Sequence, residues 1–88
     1  MLRVDPSTKF ERDLKIAKKR GWDIELIKQV IILLAAESML PENFHDHALS
    51  GNWSGFRECH IRPDWLLIYK VNKDKLHLVR TGTHSDLF

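Results

Sequence analysis

The hydrophobic period of this chain changes once, at Pro41, and that change sharply limits the folds open to it. Upstream, apolar residues recur at helical spacing: Phe10, Leu14 and Ala17, then Ile24, Ile27, Val30, Ile31 and Leu34. Residues three and four apart share one face of a helix. Downstream, Phe56–Ile61, Trp65–Val71 and Leu76–Thr81 read as three strands. Pro63-Asp64 separates the first two, and Asn72-Lys73-Asp74 makes a hairpin turn between the last two.

Local punctuation completes the upstream half. Leu2 and Val4 alternate with polar residues and suggest a short first strand, stopped by Pro6, Ser7 and Thr8. Thr8 with Glu11 has the spacing of a capping box that opens a helix. Lys15, Lys18, Lys19 and Arg20 face out or crowd its C-terminal turn, where cations suit the helix dipole. Gly21 is the expected C-cap, and Asp23 the N-cap of a second helix that ends at Glu37-Ser38. So short a link between the helices predicts an antiparallel hairpin. The order β-α-α-β-β-β implies an α+β fold. An N-terminal strand and a helical hairpin pack on one face of a small, mainly antiparallel sheet, leaving the other face or its rim free.

Eighty-eight residues, 43% hydrophobic and 30% charged, suit one globular domain spanning 1–88 and argue against disorder. A net charge of +2 permits nucleic-acid binding without announcing it. The single cysteine, Cys59, excludes a disulfide framework and fits a reducing cytoplasm. Its apolar-alternating setting suggests a buried small hydrophobe rather than a nucleophile. The longest apolar run, Val30 to Ala36, is too short to cross a membrane, and the N-terminus lacks the apolar region of a signal peptide. A cytoplasmic location is expected.

The chemistry lies after Pro41. His47, His60 and His84, with His45 nearby, are side chains that exchange protons near neutral pH. Adding Asp64 and several arginines gives the base, acid and cation that metal-free phosphodiester cleavage needs. Neighbouring strands lie about 4.8 Å apart, so residues at strand ends and turns can converge. Arg57, Arg62, Arg80 and Lys70 are candidate phosphate partners. Strand alternation sets Arg62 on the side of His60 and Arg57 on the other, unless a bulge intervenes. Arg80, four residues before His84, is the first choice for a transition-state cation. Trp65 and Phe88 are candidates to stack on bases, although Trp65 suits the core equally well. His77, mid-strand, reads as a solvated histidine, and so does His45. The histidine spacing matches no standard zinc signature, so no metal cofactor is expected. No serine sits on a nucleophile elbow.

Three blocks in order carry a resemblance. They are Asp46-His47-Ala48-Leu49-Ser50-Gly51-x-Trp53-x-Gly55-Phe56-Arg57, then Cys59-His60-Ile61-Arg62-Pro63-Asp64-Trp65-Leu66-Leu67-Ile68-Tyr69, then Arg80-Thr81-Gly82-Thr83-His84-Ser85-Asp86-Leu87-Phe88. Together they resemble the YafQ-type toxins of the RelE/ParE superfamily. The likeness is close over the C-terminal half and extends to the N-terminal half only in its helix-hairpin pattern. Ala48 stands where some relatives have Pro.

The resemblance implies a RelE-like fold and an mRNA endonuclease (an mRNA interferase), associated with the ribosome and belonging to a type II toxin–antitoxin system. It places functional residues at His47, His60, Asp64, Trp65, His84 and Phe88. It further implies a cognate antitoxin as partner, with operator DNA reached only through the antitoxin complex. The expected reaction is attack of an RNA 2′-hydroxyl on the adjacent phosphorus, with His84 and His60 as leading acid and base, Asp64 acting directly or orienting a histidine, and His47 and Arg80 neutralising phosphate. Two rival readings share the scaffold. One is a ParE-type toxin that binds DNA gyrase, a class lacking the histidine-rich site. The other is a non-catalytic RNA- or protein-binding module.

Overall fold

In the computed structural model, which describes residues 1–88, each helix starts and stops at an identifiable cap. Helix α1 (Thr8–Lys19) follows strand β1 (Arg3–Pro6). Its N-cap is Ser7, one residue before the expected Thr8: the Ser7 hydroxyl accepts the Phe10 N–H at 3.0 Å. The same hydroxyl donates to the Val79 carbonyl at 2.8 Å. Ser7 wins the cap because its extended backbone both ends β1 and lets one oxygen serve helix and sheet. At the other end the Gly21 N–H reaches the Lys18 carbonyl and the Trp22 N–H reaches that of Ala17. This Schellman pattern needs the left-handed backbone that Gly21 supplies at φ 79°. Helix α2 (Ile24–Ala35) is capped by Asp23, which accepts the Glu25 N–H at 3.1 Å.

The sheet order is β1-β5-β4-β3-β2, with β2 at His47–Ala48, β3 at Arg57–Arg62, β4 at Trp65–Asn72 and β5 at Lys75–Gly82. Only β1 pairs in parallel, with β5. The three expected strands are present within a residue or two. Four elements were not expected: two-residue β2, the two 3-10 turns at Glu42–Phe44 and Gly51–Trp53, and a C-terminal helix α3 (His84–Leu87).

Strand β4 is buried on both sides. Trp65, Leu67 and Tyr69 join Phe10, Ala17, Ile27, Val30 and Leu34 in the main core beneath the helices. Leu66 and Ile68, completely inaccessible, face the other way against Leu87, Leu49, Trp53, Phe56 and Val79. Of the two places expected to stay free, the second face is therefore covered and only its rim remains. An unbroken apolar run, Trp65 to Tyr69, has to be covered on both sides. What remains open is the part of that face at the β3 edge. There the β3–β4 pairing is irregular between His60 and Arg62.

The two roles of Ser7 predict that Ser7→Ala lowers stability by about 1–2 kcal/mol, while Thr8→Ala changes it by less than about 0.5 kcal/mol. Urea unfolding of the two variants checks this ordering.

Candidate active site

Four imidazoles gather on the side of β3 away from the helices. The His60 ring lies 5.5 Å from that of His45, 5.8 Å from His84 and 6.2 Å from His47, centroid to centroid. His60 projects from β3, and His47 from β2, which pairs His47 opposite Glu58. The first residue of α3 is His84. His45 ends the Glu42–Phe44 turn in a left-handed conformation, φ 49°. Asn43, His45, His47, His60, Ile61, Arg62 and Pro63 line an open cleft of about 670 Å³.

The ring nitrogens have defined partners. Asp64 Oδ1 receives both the His84 backbone N–H at 2.9 Å and His84 Nδ1 at 2.6 Å. These bonds, the backbone one first, hold the Asp64 carboxyl below its usual range, so it is ionised and accepts only. The proton on this edge of the His84 ring therefore sits on Nδ1, and Nε2 makes no hydrogen bond within the protein. His47 Nδ1 lies 2.6 Å from the His45 carbonyl oxygen, and its Nε2 lies 3.1 Å from Glu58 Oε2. Burial pushes the His60 imidazole below its ordinary value, against the opposing pull of Glu58.

A further network sets the approach of the His45–His47 segment. Asp46 Oδ1 accepts the Tyr69 hydroxyl at 2.6 Å and Arg57 Nε at 3.3 Å. Arg57 is thus tied to Asp46, on the side away from His60. Arg62 lines the histidine cleft.

The remaining expected site residues lie elsewhere. Arg80 grips Asp13 of α1 through Nε at 2.6 Å and Nη2 at 3.1 Å, and lines a separate small cavity with Arg20 and Asp86. Trp65 is 2% exposed and donates its indole N–H to the Thr81 hydroxyl at 2.9 Å. Its ring is part of the core. Phe88 is 60% exposed, its ring 6.2 Å from Trp53 and beside the same short helix that carries His84. His77 meets Asp5 at 3.0 Å, apart from the cluster. The Cys59 thiol is completely buried, and burial pushes it up to about 12, so it stays protonated. No three His, Cys, Asp or Glu side chains are arranged to share a metal ion.

Three contributors escaped the sequence reading. Glu58 is buried beneath His47 and His60. His45 belongs to the cluster. The third is the brace that fixes His84: Arg20, the C-cap of α1, binds Asp86 with a bidentate pair at 2.7 and 3.1 Å. Asp86 and Thr83 also form a reciprocal capping box around α3. A Cβ on Gly82 would come within 2.8 Å of Asp86 Oδ2, which is why the residue before Thr83 is glycine. Thr83-x-x-Asp86 is a readable capping signal.

Comparison with known proteins gives the class first. A family model described as a bacterial toxin of type II toxin–antitoxin systems, YafQ, matches residues 2–88. The mRNA interferase toxin YafQ of Escherichia coli K12 is 41% identical over 86 residues, covering 97% of this chain and 94% of that protein. YafQ in the Escherichia coli DinJ–YafQ complex superposes with a TM-score of 0.92 at 39% identity, over 100% of this chain and 99% of that one. A metal-bound toxin from Helicobacter pylori gives 0.94 at 46% identity, over the whole of both chains. The chain belongs to the YafQ toxin family.

Asp86 carries a pH consequence. The Arg20 guanidinium, then the Thr83 N–H, hold its carboxyl well below the usual carboxylate range. Its stabilising effect is therefore complete above the ordinary carboxylate value and is lost as pH falls toward the lowered one. Asp86→Asn is expected to lower the urea midpoint at pH 6 and to narrow its gap from wild type below about pH 4. A gap that stays constant from pH 6 to pH 2 contradicts this.

Proposed function

We propose that this chain is a metal-independent endoribonuclease that cleaves mRNA on the ribosome, the toxin of a type II toxin–antitoxin pair. The observation that carries the reading is the His60-centred group of imidazoles, with His84 Nδ1 fixed 2.6 Å from Asp64. Such a group supplies two proton-transfer sites within one substrate's reach, which is what transesterification at phosphorus requires.

In this reading His84 and His60 share the acid and base roles. One takes the proton of the 2′-hydroxyl, whose oxygen then attacks the adjacent phosphorus. The P–O5′ bond breaks, and the other histidine protonates the leaving 5′ oxygen. The products are a 2′,3′-cyclic phosphate and a 5′-hydroxyl. Asp64 keeps His84 in the Nδ1–H form, so Nε2 is the atom that exchanges protons. His47 and Arg62 offset the charge that develops on the phosphoryl oxygens. Exposed Phe88 provides a surface on which a base can stack. Arg80 and Trp65 act through the scaffold: Arg80 ties β5 to α1, and Trp65 fills the core.

The relatives support the choice of substrate and partner. The Escherichia coli protein is named an mRNA interferase, and it is solved in complex with DinJ. We assign this chain a cognate antitoxin of its own, operator DNA contact through that complex, and a cytoplasmic site of action. A net charge of +2 gives limited non-specific affinity for free RNA, which suits presentation of the message by the ribosome.

Primer-extension mapping of a defined mRNA, with and without ribosomes, tests the reading. Discrete cuts are expected, with His84→Ala and His60→Ala each slowing cleavage on the order of 10²-fold or more. Cleavage of free RNA should persist in excess EDTA, and cleavage on ribosomes should be indifferent to added zinc. Cutting undiminished in the double variant would overturn the assignment.

A further inference from the structure

We propose that the cleft beside His60 is a nucleotide subsite in which the Asn43 carboxamide reads one base, so that the Glu42–Phe44 turn sets where the strand is cut. This deepens the nuclease reading above and rests on it for the consequence on cutting.

The cleft reaches past the place of proton transfer. His60 lines it, but His84, Asp64 and Phe88 do not. The sheet order β5-β4-β3-β2 explains the division. Helix α3, after β5, brings His84 to one flank of β3, and the turn before β2 brings Asn43 and His45 to the other. A phosphate held between His60 and His84 therefore leaves the space beyond His60 to the adjoining nucleotide of the same strand. At about 670 Å³ that space falls within the roughly 300–1,000 Å³ of small-ligand sites.

The lining suits a nucleotide. Ile61 and Pro63 offer apolar surface, Arg62 a cation, and Asn43 a donor and an acceptor side by side. A carboxamide pairs with two atoms of a base edge at once, and single-stranded RNA exposes those edges. The side chains of Asn43 and His45 are exposed and make no hydrogen bond or ion pair with the protein; the His45 ring meets that of His60 edge-on at 5.5 Å. Their backbone, by contrast, is fixed. The Phe44 N–H reaches the Pro41 carbonyl at 3.0 Å, and the His45 N–H that of Glu42 at 2.9 Å. Asp46, next in the chain, is tied to Tyr69 and Arg57. His45 sits at φ 49°, in left-handed backbone that glycine adopts freely. The ring kept there supplies a flat surface on which the base stacks while Asn43 reads its edge.

Two measurements test this. The first needs no cleavage. Four 2′-fluoro RNA homotrinucleotides, which lack the attacking hydroxyl, are titrated into the ¹⁵N-labelled chain. The Asn43 side-chain amide and the His45 ring are expected to shift saturably. Affinities for the best and worst base should differ by at least about fivefold, the lower end of what a bidentate pair supplies. In Asn43→Ala the four affinities should converge. No shift at Asn43, or a spread unchanged in Asn43→Ala, overturns the proposal. The second maps cuts in a randomised mRNA library. Asn43→Ala is expected to flatten the wild-type preference at one position beside the cut. Asn43→Asp, whose carboxylate only accepts, should move it toward guanine, which offers two adjacent donors. A preference identical in all three proteins overturns the reading of a base. His45→Gly removes the ring and keeps the backbone, so KM should rise several-fold without a lower urea midpoint, and His45→Phe should restore KM. An unchanged KM in His45→Gly overturns the stacking role. A wild-type protein that binds the trinucleotides with this selectivity and cuts nothing refutes the nuclease reading and leaves the subsite standing. One that cuts with a preference indifferent to Asn43 does the reverse.

Discussion

Strand β4 is the constraint from which the rest of the molecule follows. Five successive residues, Trp65 to Tyr69, are buried, and alternate ones point to opposite faces of the sheet. One face takes the helices. The other takes the Gly51–Trp53 turn, Phe56 and Leu87 of α3. Covering that second face is what brings the C-terminal segment back over the sheet. The turn that feeds β4 carries Asp64, and the helix that returns carries His84. The catalytic pairing we assign is thus a by-product of burying one strand twice. The Trp65–Thr81–Leu66 hydrogen bonds lock the start of β4 to the end of β5 just beneath it.

Helix α1 works as a brace for the same segment. Asp13 receives the Arg80 guanidinium and the Thr81 N–H, and Arg20 holds Asp86. Both tether the run from β5 into α3, on either side of the Gly82 turn. A charge-assisted, bidentate contact restricts direction as well as distance. The position of His84 is therefore set in part by Asp13 and Arg20, far earlier in the chain, neither of which touches substrate in our account.

How much of this was legible follows from how local each signal is. The helix pair and the three long strands rest on periodicity within a dozen residues, and they appear where the pattern put them. His47, His60, Asp64 and His84 were found as residue types whose chemistry is distinctive, and the fold does gather them. Arg80 marks the limit of local signals. Its closeness to His84 in sequence pointed to the site, but Asp13, 67 residues away, claims it, and no local pattern encodes that. Trp65 stood evenly between stacking and packing, and the hydroxyl of Thr81 decided for the core. Glu58 carries no local signal, because a single acid in a strand reads as solvent-facing, yet it is buried. Its burial depends on β2, which is two residues long and has no period to detect. Helix α3 is a single turn of four residues, too short to show a period, and Thr83-x-x-Asp86 is its only local signal.

Proton exchange at His84 Nε2 and His60, with the RNA's own 2′-hydroxyl as nucleophile, is the central claim. Mass spectrometry of the ends left on a defined mRNA by the purified protein tests it most directly. The account predicts a 2′,3′-cyclic phosphate, or the phosphate formed from it, upstream of the cut and a 5′-hydroxyl downstream. A 3′-hydroxyl with a 5′-phosphate would mean that water attacked and the 3′ oxygen left, and would contradict the mechanism assigned to this cluster.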